Sequence, residues 1–293
     1  MALAAAVVVT AAGCSRDVRT ETFSPAAAGP LATTGEDAVI YGVPQTGAVY
    51  KVNADKSRDK EPLVKLDVKA QDPRGITGIT VNKTNEIFVA YIAADGAPRV
   101  SRVEKNKETI IWQGPKPTNA NSTAHSGGAI GISPQDRVTV VLGDRNDEAA
   151  KQGDSPFGKA VTIDPAGPAD QRPNVIASNF VDPTAATYDP NGSLWVADNG
   201  SDMKIKLSRV SSVGDRGAVA DAGAGPATGM AFFGGEEITL CSSGEPLLRR
   251  YLVNDAVEAI PHRVITRDCN GGVATLSDSR VVYATPTELR ITV

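Results

Sequence analysis

The chain has 293 residues, of which 41% are hydrophobic, and this is sufficient for one large domain with a substantial core. Its net charge is −4 at pH 7 and no stretch is strongly basic, which argues against a nucleic-acid partner. Aromatic residues make up only 5% of the chain, whereas it contains 28 glycines. This composition favours many short strands joined by turns over a helical bundle.

The N-terminus has the pattern of an export signal. Residues 1–13 form an apolar run that is too short to span a bilayer but suits the hydrophobic region of a signal peptide. Three small residues then precede Cys14, which resembles a bacterial lipobox. We therefore predict a lipoprotein signal peptide over 1–14 with Cys14 lipidated, a tether over 15–35, and an extracytoplasmic protein anchored to the cell membrane. An ordinary N-terminal segment without fixed structure is the alternative.

From residue 36 to residue 293, one unit recurs six times. Each copy has a small and apolar first strand, a polar turn, a β-branched second strand and a third strand. The spacing of roughly 38 to 55 residues predicts an all-β fold, a six-bladed β-propeller, rather than a two-sheet sandwich. The sixth copy ends at its third strand, so we expect a stretch near Val18–Phe23 to supply its outer strand and close the ring. The copies begin near Asp37, Gly75, His125, Thr184, Thr228 and Gly271.

The third copy contains one of the two histidines of the chain. His125 stands just before the first strand of a hairpin, and Gly143-Asp144 follows its second strand. This arrangement places an imidazole and a carboxylate at the same end of neighbouring strands, where the acid can orient the base. A structural hydrogen-bonding histidine and a turn-capping aspartate are the alternatives.

Two cysteines remain if Cys14 carries lipid. Cys241 and Cys269 lack metal-ligand spacing, which makes a zinc site improbable. An exported protein with two remaining cysteines indicates one disulfide, which would close a loop of about 28 residues. Two unpaired buried thiols are the alternative.

Five segments, in order along residues 60–293, resemble motifs of one family. The family is the glucose/sorbosone dehydrogenases, soluble propellers that oxidise sugars with pyrroloquinoline quinone (PQQ); the whole chain resembles an actinobacterial-type lipoprotein bearing such a domain. Each motif is weak alone, but five in the same order are hard to dismiss. The segments are Gly75-Ile-Thr-Gly-Ile with Ile87–Tyr91, His125-Ser-Gly-Gly to Asp144, Phe157–Asp164, Asp182-Pro-Thr-Ala-Ala with Leu194–Gly200, and Arg267-Asp268.

The resemblance implies a role for each matching residue. His125 matches the base that takes the proton from the sugar's anomeric hydroxyl, and Asp144 matches a carboxylate that would orient it. Arg267 matches a cationic contact to the quinone's carboxylates. The backbone carbonyls of Gly200 and Ser201 match positions that bind Ca²⁺.

The sequence also departs from the family pattern where charge is expected around the cofactor. Charge-assisted contacts contribute roughly 1.5–3 kcal/mol each, so losing several of them should weaken PQQ binding strongly. The residues that replace the expected acidic, amide or cationic side chains are Pro73, Ala124, Val181, Gly244 and Ile265.

Two functions of different classes therefore remain. The first is PQQ- and Ca²⁺-dependent oxidation of an aldose or sugar-like alcohol, with a partly degraded active site. The second is a non-catalytic propeller lipoprotein that binds a small-molecule ligand or a protein through the same rim. In both cases we expect a monomer that contacts the membrane only through its lipid anchor.

Overall fold

A computed structural model describes residues 18–25, 29–69, 75–116, 125–146, 152–200, 202, 204–211, 216–233, 235–253 and 259–293. The described strands form six antiparallel sheets of four strands each. The first strands of neighbouring sheets contact one another in sequence, and the contact of the last with the first closes a ring. The predicted all-β, six-bladed β-propeller is confirmed.

The blades are numbered in chain order, and the innermost strand of each is its first. Blade 1 contains β2 (Leu31–Thr33), β3 (Val39–Val43), β4 (Ala48–Val52) and β5 (Val64–Lys65). Blade 2 contains β6 (Ile76–Val81), β7 (Ile87–Ile92), β8 (Pro98–Glu104) and β9 (Lys107–Gln113). Blade 3 contains β10 (Gly127–Ile132), β11 (Val138–Leu142), β12 (Lys159–Ile163) and β13 (Asn174–Ser178).

The remaining blades follow the same order. Blade 4 contains β14 (Pro183–Tyr188), β15 (Leu194–Asn199), β16 (Lys204–Val210) and β17 (Arg216–Ala224). Blade 5 contains β18 (Ala227–Phe233), β19 (Glu237–Ser242), β20 (Leu248–Val253) and β21 (Ala259–Thr266). Blade 6 contains β22 (Val273–Thr275), β23 (Val281–Ala284), β24 (Glu288–Thr292) and the N-terminal strand β1 (Thr20–Pro25).

The N-terminal strand closes the ring, as the sequence predicted. β1 pairs antiparallel with β24, with Thr20 opposite Thr292 and Glu21 opposite Ile291. Both β1 and β2 lie within residues 15–35, the segment predicted as a tether, so the strands of the propeller begin before residue 36. The predicted signal peptide and Cys14 lie outside the described residues. Among the described residues, no helix has the length and apolar composition that crossing a bilayer requires.

Apolar side chains fill the spaces between neighbouring blades. Trp112 packs between blades 2 and 3, and Trp195 packs between blades 4 and 5; each is 1% exposed. Because a neighbouring blade covers each face of a blade's sheet, the strands of that sheet nearest the tunnel are almost continuously apolar.

A disulfide joins the last two blades. Cys241 on β19 is bonded to Cys269, which precedes β22, with a Cα–Cα distance of 5.8 Å. The predicted pairing is therefore present, and it ties blade 5 to the blade that the N-terminal strand completes. Near this disulfide, the hydroxyl of Thr228 on β18 donates to the carbonyl of Gly271, which precedes β22, at 2.8 Å.

The six inner strands line a central tunnel with two unlike ends. At the rim where these strands begin, which we call the His125 rim, the tunnel narrows to a cavity of about 50 Å³. At the opposite end, the far rim, it widens to a recess of about 290 Å³. Small and apolar residues with several threonines line both ends.

Candidate ligand site at the His125 rim

The backbone of His125 adopts an uncommon conformation. Its φ is +50°, in the left-handed region, where histidine is tolerated better than most side chains but still costs free energy. The carbonyl of His125 accepts a hydrogen bond from the N–H of Arg145 at 3.2 Å, and Gly143 donates to Ser126 at 3.2 Å. A Cβ atom on Gly143 would lie 1.9 Å from the His125 carbonyl oxygen, so only glycine fits beneath the histidine.

The predicted imidazole–carboxylate pair is formed. Nδ1–H of His125 donates to Oδ1 of Asp144 at 3.0 Å. The two side chains are 23% and 18% exposed, so the pair is sheltered but reachable from solvent. Because the carboxylate holds the proton on Nδ1, Nε2 is left as the acceptor that a ligand hydroxyl can meet. Asp144 thus orients His125, and its Oδ1 also accepts the N–H of Asn146 at 2.9 Å.

Blade 4 positions the pair through its backbone. The N–H of Asp144 donates to the carbonyl of Val181 at 2.9 Å. The loop at Val181 is fixed in turn by Asp198, whose carboxylate accepts the N–H groups of Val181 and Asp182, the latter at 2.7 Å. Asp198 is 3% exposed, and its contacts define it as a loop cap. The sequence indicated Asp198 only as part of the family-like segment Leu194–Gly200, because its partners come from the preceding inter-blade loop.

Two described cations near the pair, Lys159 and Arg145, are engaged by groups of the protein. Lys159 is 6% exposed, and its ammonium donates to the carbonyls of Gln152, Gly153 and Ser155 at 2.9, 3.0 and 2.6 Å. Arg145 is 5% exposed, with its guanidinium 5.5 Å from the ring centroid of Phe157. The sequence predicted neither the carbonyl contacts of Lys159 nor the packing of Arg145 on Phe157. Lys159 directly follows Phe157 and Gly158, but the sequence does not indicate which groups its ammonium contacts.

Arg267, the predicted quinone contact, lies on the same rim but three blades around the ring. It occupies the loop between β21 and β22, and it is exposed. Its neighbour Asp268 bonds instead to Arg290, at 2.7 Å, and to the hydroxyl of Thr266. No hydrogen bond or ion pair between these described residues joins Arg267 to the His125–Asp144 pair.

Among the described residues, the tunnel mouth at this rim does not fit PQQ, which carries several carboxylates. The ammonium of Lys159 is already bound by three carbonyls, and the positions that match cations of the resembling family hold Val181 and the buried Ile265. The narrow tunnel mouth is lined by small, apolar and threonine residues, with no charged side chain among the described residues. A carboxylate-rich ligand inside this mouth would lose hydration without a cationic partner among the described residues that line it.

The predicted calcium site has little support either. Ser201 lies outside the described residues, and Gly200 donates its N–H to Lys204 at 2.9 Å. Oδ1 of Asp202 lies 2.6 Å, and the ammonium of Lys206 3.2 Å, from where a Cβ on Gly200 would stand, so one carboxylate and one cation adjoin this position. No group of three or more His, Cys, Asp or Glu side chains within the described residues could hold a metal ion. One described carboxylate beside an ammonium provides fewer oxygen ligands than Ca²⁺ takes.

The fold and this rim define the class of the protein: a six-bladed β-propeller with an imidazole–carboxylate pair at one end of its tunnel. No protein-family model matches the sequence, and no curated protein matches it.

Solved structures do match. A glucose dehydrogenase has a TM-score of 0.79 at 14% identity, over 94% of this chain and 99% of its own. The PQQ-bound aldose sugar dehydrogenase of Streptomyces coelicolor has a TM-score of 0.75 at 14% identity, over 94% and 98%. A gluconolactonase of Xanthomonas campestris has a TM-score of 0.66 at 12% identity, over 94% and 90%. At these identities the likeness shows a shared fold.

Proposed function

We propose that this protein is an extracytoplasmic propeller that binds a sugar or sugar-like alcohol at the His125 rim. The observation that carries the proposal is the His125–Asp144 pair, oriented at 3.0 Å and partly exposed where the inner strand β10 begins. The similarity in fold to sugar dehydrogenases and a gluconolactonase supports the ligand class.

The pair can recognise a hydroxyl group without any further component. Asp144 fixes the tautomer, Nε2 of His125 accepts the hydrogen of the ligand hydroxyl, and the blade 4 loop keeps Asp144 in place. A neutral hydroxyl-rich ligand suits this rim, since it requires no cationic partners. The same imidazole can take a proton from a bound hydroxyl, which is the requirement of a general base.

Oxidation of an aldose with PQQ and Ca²⁺ is the second candidate function. The oriented base favours it, as does the similarity in fold to the PQQ-bound aldose sugar dehydrogenase. PQQ would supply hydride acceptance, and His125 and Asp144 would hold the proton of the sugar hydroxyl. The arrangement of Lys159, Val181 and Arg267 argues against it, so ligand binding without catalysis is the function we favour.

We also propose that the propeller lies outside the cytoplasmic membrane as a monomer anchored through a lipidated Cys14. The apolar run over residues 1–13 followed by Cys14 supports this location. Expression in a bacterial host with radiolabelled palmitate tests it: the label should appear in the unaltered chain and be absent from Cys14→Ala. A label that survives the substitution, or a protein that stays in the cytoplasm, would overturn the anchor.

Calorimetric titration of the purified protein with glucose, galactose and xylose, each with and without PQQ and Ca²⁺, tests the main function. We expect sugar binding without quinone, weakened about five- to tenfold in His125→Ala through loss of one hydrogen bond. His262→Ala is the matched control, because His262 is exposed on the outer strand β21 and should leave binding unchanged.

The same samples separate the two candidates. Micromolar PQQ binding with sugar-dependent dye reduction, abolished by His125→Ala, would establish the dehydrogenase instead. No binding of any of these sugars, with or without quinone, would refute the sugar proposal altogether.

A further inference from the structure

A second recess lies on the far rim, away from His125. It is a cleft of about 460 Å³ between blades 3 and 4, a volume typical of small-molecule sites. Its wall on blade 3 is the turn that joins β10 to β11, and its wall on blade 4 is the turn that joins β14 to β15. Neither turn takes part in the His125 site.

The mouth of the cleft carries side-chain amides that have no partner among the described residues. Gln135, Asn174 and Asn191 line it and are exposed, and none of the three amides hydrogen-bonds to another described residue. Tyr188 and Leu194 line it as well, and add apolar surface. Several donors and acceptors around a partly apolar recess are what a ligand with many hydroxyls can use.

The turns that carry Gln135 and Asn191 are fixed in place. On blade 4, Asp189 accepts the N–H of Ser193 at 2.8 Å and the indole N–H of Trp195 at 3.0 Å, which anchors the turn holding Asn191. On blade 3, the hydroxyl of Ser133 accepts the N–H of Arg137 at 3.1 Å. The backbone that carries these two amides is therefore fixed before a ligand binds, which lowers the entropic cost of binding.

The lining has no uncompensated charge. Arg137 lies in the cleft wall, and its Nη1 is 3.0 Å from Oδ2 of Asp164. The other polar lining groups are amides, hydroxyls and the phenol of Tyr188, which bonds to the hydroxyl of Thr139 at 2.8 Å. Such a surface suits an uncharged ligand, since an ionic one would find no free counter-charge.

The cleft also adjoins the wide end of the tunnel. Tyr188 lines both the cleft and the recess of about 290 Å³ at the far rim. Its ring, tethered through the hydroxyl, offers an apolar face between the two spaces. An extended ligand could therefore contact both, whereas a single small molecule would fill only one.

We propose that this cleft is a second binding site, distinct from the His125 rim, and that it takes an uncharged, hydroxyl-rich chain: a short segment of a neutral glycan. The amides of the two turns bind its hydroxyl groups, and Tyr188 supports a sugar ring at the junction with the tunnel.

Calorimetric titration of the purified full chain with maltotriose, chitotriose and the acidic trigalacturonate tests the proposal. We expect a neutral trisaccharide to bind at millimolar or lower concentration and the acidic one not to bind. In a Gln135→Ala/Asn191→Ala variant the dissociation constant should rise about tenfold. Both side chains are exposed, and Gly192 rather than Asn191 has the positive φ of the turn, so the variant should retain the wild-type melting temperature.

One control assigns the binding to the cleft. Gln152→Ala removes an exposed amide of the same blade on the His125 rim and should change nothing. His125→Ala separates the two sites, because it weakens only a sugar that is bound at the His125 rim. Three results would overturn the proposal: no binding of either neutral trisaccharide, equal binding of trigalacturonate, or an affinity that the double variant leaves unchanged. Loss in His125→Ala alone would assign the trisaccharide to the His125 rim instead.

Discussion

Reduction of the Cys241–Cys269 disulfide should lower the stability of the propeller by a predictable amount. The bond closes a loop with a sequence separation of 28 residues. The chain-entropy relation then gives about 3.5 kcal/mol of stabilisation at 25 °C. With an unfolding entropy proportional to the 293 residues of the chain, this corresponds to a fall in melting temperature of about 6 °C.

Differential scanning calorimetry with and without a reductant measures this change, with thiol titration to confirm that the bond has opened. A Cys241→Ala/Cys269→Ala variant is the control, because the reductant should not shift its melting temperature further. Since both cysteines are fully buried, the variant also loses packing and should melt no higher than the reduced protein. Released thiols with an unchanged melting temperature would refute the reasoning.

Three further changes test the packing and electrostatics. Burial and the hydrogen bond to Glu108 raise the pKa of Tyr91 to about 12. The corresponding contribution to the free energy of unfolding is about 2–3 kcal/mol. This contribution is complete below about pH 10 and is lost as the pH rises to about 12. Urea unfolding across this range should show the loss, and Tyr91→Phe should abolish that component. Trp195→Ala should lower the free energy of unfolding by about 3–5 kcal/mol, because it empties the space between blades 4 and 5; a loss below about 1 kcal/mol would contradict that packing. Gly143→Ala should displace His125 and abolish sugar binding, since the added Cβ meets its carbonyl oxygen; wild-type binding would contradict the rim geometry.

The repeat of six similar units was sufficient to predict the architecture. Because a blade cannot bury its faces alone, six copies imply six packed sheets in a ring. The missing fourth strand after Glu288–Thr292 also predicted that an N-terminal strand must complete blade 6. The end of the tether was predicted at residue 35, which is after β2. Leu31–Thr33 is too short to show the alternation that identifies a strand.

The site was predictable only in part. The spacing across one hairpin brought His125 and Asp144 together, since strand pairing fixes which residues share an end. The cap that Asp198 places on the Val181 loop and the binding of Lys159 to three carbonyls depend on how loops from different strands meet. Contacts between loops have no periodic signature, so the sequence could not show that Lys159 is already bound or that the described tunnel mouth lacks charged side chains.

The most direct test of the central claim follows the imidazole of His125 itself. The chain has two histidines, so a proton–carbon NMR spectrum contains two imidazole Hε1 signals, which His125→Ala and His262→Ala assign. Titration with glucose in the absence of PQQ should move the His125 signal and leave the His262 signal in place. A His125 signal that responds only when PQQ and Ca²⁺ are present, or to no sugar at all, would contradict a rim that binds sugars by itself.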